Sequence, residues 1–73
     1  MEAAEIRKCL KERGLAVEYE YKGNRRARLT VWRNGRVVLV AWREKNGRWL
    51  VRVLGDDGLI ALECLPAYQL SKS

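Results

Sequence analysis

Asn-Gly occurs twice in this chain, at Asn34-Gly35 and Asn46-Gly47, each time between short apolar runs. No short signal marks a β-hairpin more strongly, because both residues accept the positive φ that a type I′ turn demands. The alternation starts after Leu15, where Val17, Tyr19 and Tyr21 interleave with Glu18, Glu20 and Lys22. Further turn chemistry stands at Gly23-Asn24-Arg25 and Gly55-Asp56-Asp57-Gly58. Strands are therefore expected over about 16–22, 26–33, 36–43, 48–54 and 59–65. Pro66, which has no N–H to give a ladder, stops the last of them and leaves a loose tail over 66–73.

Two-residue loops fix a register. Val31 would face Val38, Leu29 would face Val40 and Ala27 would face Trp42. Across the second Asn-Gly, Trp42 would face Val51 and Val40 would face Val53; across Asp57-Gly58, Val53 would face Leu62 and Val51 would face Cys64. A three-residue first turn sets Tyr21 against Ala27 and Tyr19 against Leu29. The four turns agree on one apolar face that includes Val38, Val40, Trp42, Trp49 and Val51. Ahead of the strands, Ala3, Ile6 and Leu10 line one side of an amphipathic helix over about 2–13, with Cys9 at its edge and Gly14 placed to end it. The expected fold class is α+β, a single domain over residues 1–73. One N-terminal helix precedes a five-stranded antiparallel meander, as a twisted sheet or a partly closed small barrel.

Charge gives this sheet its functional interest. Between Lys22 and Arg52 lie ten bases and one acid, Glu44, a net charge of +9; the rest of the chain holds five bases and eight acids, a net −3. A solvated rim mixes signs, whereas basic charge gathered on consecutive strands suits a polyanion. The register places Arg26, Arg28, Arg43 and Arg52 on the second face with Trp32, and puts Arg25, Arg33, Arg36, Lys45 and Arg48 at hairpin ends. Guanidinium groups that meet phosphates beside a ring that stacks on bases are the means by which many small domains hold DNA or RNA. Those ten residues are the candidate nucleic-acid contacts. Two cross-strand ion pairs are also expected on that face, Glu20 with Arg28 and Arg52 with Glu63.

The same face carries Val37, Leu39, Leu50 and Leu54, too apolar for an ordinary wet surface. The alternative reading is thus a protein-interaction module or inhibitor, which docks an acidic protein surface or forms a homodimer through those residues. The helix could cover either face. An enzyme is not expected: histidine is absent, and no nucleophile has an evident base. Asp56 and Asp57 read as turn residues rather than a carboxylate pair. Two cysteines without histidine do not make a metal site, and no cofactor is expected. Cys9 and Cys64 are either two small buried hydrophobes or a disulfide, the latter mainly in a hyperthermophile. No apolar run approaches the roughly 20 residues of a membrane span, and the charged N-terminus is unlike a signal peptide, so a cytoplasmic site is the default.

Tyr19–Gly23 (YEYKG) and Val31–Arg36 (VWRNGR) resemble segments of the small basic archaeal chromatin proteins, five-stranded barrels that bind the DNA minor groove. Those proteins carry their helix at the C-terminus, and the resemblance assigns no site residue here.

Overall fold

The computed structural model describes residues 2–22 and 26–71. In them, α1 (Glu2–Glu12) leads into β1 (Ala16–Lys22), β2 (Arg26–Arg33), β3 (Arg36–Arg43) and β4 (Trp49–Val53). A second helix, α2 (Asp56–Leu62), then returns the chain to β5 (Tyr68–Leu70). The strands form one open sheet in the order β1-β2-β3-β4-β5. The class is α+β. The first four strands are the expected antiparallel meander, but β5 runs parallel to β4, which makes the sheet mixed. No helix among the described residues is long and apolar enough to cross a membrane.

Helix α1 ends as its sequence dictates. The N–H of Gly14 bonds the Lys11 carbonyl at 3.0 Å and that of Leu15 bonds the Leu10 carbonyl at 3.0 Å. This is a Schellman closure, with Leu15 and Leu10 both buried beneath it. Ile6 and Leu10 point into a core shared with Ala27, Leu29, Val31, Leu39, Ala41, Trp49 and Val51. Helix α2 adds Ala61 and Leu62 to that core, and Leu65 follows. Both helices therefore cover the same sheet face.

The region 56–65 departs most from expectation. Gly55-Asp56-Asp57-Gly58 is not a hairpin turn: Gly55 is the N-cap of α2, and the two aspartates form its first turn, where acids suit the helix dipole. Gly58, Ala61, Leu62 and Leu65 are buried at i, i+3, i+4 and i+7, a helical stripe inside what looked like a strand. The expected fifth strand over 59–65 is thus a helix and its exit turn, and the strand that joins the sheet comes later, as Tyr68–Leu70. The N–H of Trp49 reaches the Ala67 carbonyl at 3.0 Å, and the N–H of Ser71 reaches the Val51 carbonyl at 2.7 Å. Because 63–65 is not a strand, the expected Arg52–Glu63 pair does not form; Glu63 Oε1 accepts from Arg13 Nη2 at 3.2 Å.

Strand β3 is turned over. Asn34 and Gly35 both have positive φ and Arg33 pairs with Arg36, so the two-residue turn holds. Trp32 also pairs with Val37 as expected, but a bulge follows and Val31 pairs with Leu39 instead of Val38. At the next turn the N–H of Glu44 bonds the Arg48 carbonyl at 2.8 Å, enclosing the three-residue loop Lys45-Asn46-Gly47 with Gly47 at φ 85°. That conformation is glycine's, and a three-residue loop of this kind is the next most common hairpin after the two-residue one. Each change shifts the register by one; together they displace β4 by two residues against β2, which restores its facing. Strand β4 keeps Trp49 and Val51 in the core, while β3 alone presents Leu39 and Ala41 inward and Val40 and Trp42 outward.

Cys9 and Cys64 form a disulfide with Cα atoms 5.7 Å apart, tying α1 to the end of α2 across 55 residues. Of the two readings open to the sequence, the pairing is the one found. It lies beside the shared core and fixes both helices to one side of the sheet.

Candidate functional site

The face opposite the helices is uncovered among the described residues, and the register lays it out in three rows. The first row runs Glu20, Arg28, Trp42, Leu50 and Gln69 across the five strands. A middle row holds Glu18, Thr30, Val40 and Arg52. The third holds Ala16, Trp32 and Val37, with Leu54 just past the end of β4. Thr30 and Val40 are buried at 5% and 9% exposure although no helix lies over them. Larger residues, among them Trp42, Leu50 and Trp32, stand in the rows on either side. The result is a small, shallow floor with an indole in the row on each side.

Trp42 is 37% exposed and is the register partner of both Arg28 on β2 and Leu50 on β4. Trp32 is half-buried. Arg28 and Arg52 are exposed, the first beside Trp42 and the second beside Val40. The acids of this face, Glu18 and Glu20, stand together on the edge strand β1. Charge is therefore graded across the sheet, negative along β1 and positive over β2 and β4.

The other candidate residues divide. Arg33 faces the helix side, where its Nε lies 3.6 Å from Asp57 Oδ2. Arg36 is exposed at the Asn34-Gly35 hairpin, and Lys45 and Arg48 are exposed at the β3–β4 loop. The N–H of Arg48 bonds Asn46 Oδ1 at 2.9 Å, which orders that loop. Arg43 was expected on the open face, but the inversion of β3 sends it to the helix-bearing side as the partner of Trp49. There it lines a cleft with Tyr19, Tyr21 and Lys45. Arg25 lies outside the described residues, and Arg26 is described only through its backbone pairing with Lys22. Of the ten, Arg28, Trp32 and Arg52 are brought together on one face.

Sequence reasoning missed Trp42, which the two-residue loops assigned to the core. It also placed Leu39 on the open face, where Leu39 was to serve a protein contact; the side chain is fully buried at 0%. Leu54, which was expected in the same contact, is exposed, and with the exposed Leu59 and Leu70 it lines a cleft of about 410 Å³ that Arg52 also borders. Compared with known protein families, curated proteins and solved structures, the chain matches none of them.

Proposed function

We propose that this protein binds nucleic acid without catalysis, through the open sheet face and the basic hairpin ends beside it. One observation carries the reading: Trp42 and Trp32 share an uncovered face with Arg28 and Arg52, inside a segment of net charge +9. Rings that stack and guanidinium groups that meet phosphates are the two components such recognition needs. Arg36, Lys45 and Arg48 extend the positive charge to the hairpin ends, where long side chains can follow a phosphate backbone. Neutralised phosphates release counterions, so affinity should fall steeply as salt rises. Electrophoretic titration of DNA and RNA, single- and double-stranded, at two salt concentrations tests the proposal. No binding to any of them at low salt would defeat it.

A second reading rests on the exposed Leu54, Leu59 and Leu70, which line one cleft and of which Leu70 ends the short edge strand β5. They suit self-association into a homodimer. Light scattering of the wild type and of Leu70→Glu decides this reading, since only a dimer loses mass on that substitution. The Cys9–Cys64 disulfide bears on where either activity takes place. It persists in an oxidising compartment, or in the cytoplasm of a hyperthermophile, where intracellular disulfides are common.

A further inference from the structure

We propose that the ligand of the open face is a single strand, of RNA or DNA, laid across β2 to β4 with one base on Trp42 and another on Trp32. The inference rests on the nucleic-acid reading above and narrows it to one class of polymer. Arg28 and Trp32 are four residues apart on β2, and Trp42 is the partner of Arg28. At about 3.4 Å per residue, the two indole rows stand roughly 14 Å apart. Between them lies the low floor of Thr30 and Val40. Sheet platforms of this kind stack roughly two or three bases.

Three features favour a single strand over a duplex. A duplex keeps its bases stacked inside and turns phosphates outward, so an exposed indole meets no ring on it. The unstacked bases of a single strand offer a π-face at every nucleotide. Next, a sheet enters the major groove as a two-stranded ribbon, whereas this face is several strands wide and its β1 edge carries Glu18 and Glu20. Those carboxylates repel phosphates and confine the backbone to the side of Arg28 and Arg52. Last, Leu50 adjoins Trp42 and Leu54 closes the third row on either side of Arg52, so apolar surface for bases lies next to a cation for the phosphate.

The test compares fluorescein-labelled oligothymidylate, oligouridylate and a mixed-sequence DNA duplex of the same length, each titrated by anisotropy over a range of salt. Both single strands should bind at least about tenfold more tightly than the duplex, the two arms showing whether RNA or DNA is preferred. Trp42→Ala should weaken single-strand binding roughly 5- to 150-fold and leave the salt dependence unchanged. Arg52→Gln should instead lower the log–log salt slope by about 0.7. Trp42→Leu keeps apolar bulk over Val40 while removing the ring, and should lose affinity as Trp42→Ala does; a folded Trp42→Leu of wild-type affinity would overturn the proposal. So would a duplex bound as tightly as the single strands. Failure of all three probes to bind at low salt would overturn the nucleic-acid reading beneath it.

Discussion

Gly58→Ala should destabilise this protein, although the same change in an exposed helix stabilises it. Gly58 is buried inside α2 where the helix crosses the bulge of β3. A Cβ at that position would overlap the carbonyl oxygen of Val38, with Val53 Cγ1 at 3.0 Å and the Val38 carbonyl carbon at 3.1 Å. Backbone cannot swing aside as a side-chain tip can, and the Val38 oxygen is held by the N–H of Leu54 at 2.9 Å. The helix must back away instead. A retreat of 0.5–1 Å forfeits about a quarter to a half of each dispersion contact at Ala61 and Leu62. Overpacking of this kind costs roughly 1–3 kcal/mol, against about 1 kcal/mol gained from helix propensity. A net loss of up to about 2 kcal/mol is expected, read in urea as a midpoint lower by up to about 2 M for an m-value near 1 kcal/mol/M. Gly55→Ala is the control. Its φ of −170° suits any residue, and its Cβ would meet only Val38 Cγ1, at 3.8 Å, so the midpoint should barely move. A Gly58→Ala variant more stable than wild type would refute the close packing of α2 on the bulge.

Other substitutions probe the same architecture. Leu39→Ala removes a fully buried side chain and should cost about 2–5 kcal/mol in chemical denaturation. Trp42→Ala, on the open face, should cost under about 2 kcal/mol; the reverse ranking would restore the simpler register. Replacing Cys9 and Cys64 together by Ser opens a link spanning 55 residues and should lower stability by up to about 4 kcal/mol. A thermal melt that is unchanged by this double substitution would rule out the bond. Asp57→Asn removes a half-exposed partner of Arg33 at 3.6 Å and should shift the denaturation midpoint by less than about 1 kcal/mol equivalent.

Much of the fold was written in local sequence terms, and the errors have a common cause. The Schellman end of α1, the Asn34-Gly35 turn and the β1–β2 register all follow from residues within a few positions of each other. The bulge after Trp32 and Val37 does not. No residue type near Val38 marks it; its cause is tertiary, in the Val38 carbonyl that receives Leu54 and meets α2 at Gly58. Without α2 in view, the bulge had no reason to exist. The helix itself was legible, since Gly58, Ala61, Leu62 and Leu65 carry its period, but two aspartates between glycines read first as a turn. For the site, parity along β2 placed Arg28 and Trp32 correctly. Parity along β3 failed for Arg43 and Trp42 together, because one slip exchanges both. Two such slips, one on either side of β3, displaced β4 by two residues and so left its parity unchanged, which is why Arg52 still stands on the open face.

The central claim is that the face bearing Trp42 and Arg28 holds nucleic acid while the helix-bearing face does not. The most direct measurement is a two-dimensional amide and indole NMR titration with oligothymidylate at low salt. The account predicts shifts concentrated at the indole N–H groups of Trp42 and Trp32 and at the backbone of Arg28, Val40 and Arg52. The buried indole of Trp49 and the amides of α1 should stay still. Shifts confined to α1, α2 or the Tyr19–Arg43 cleft, with both open-face indoles unmoved, would contradict it.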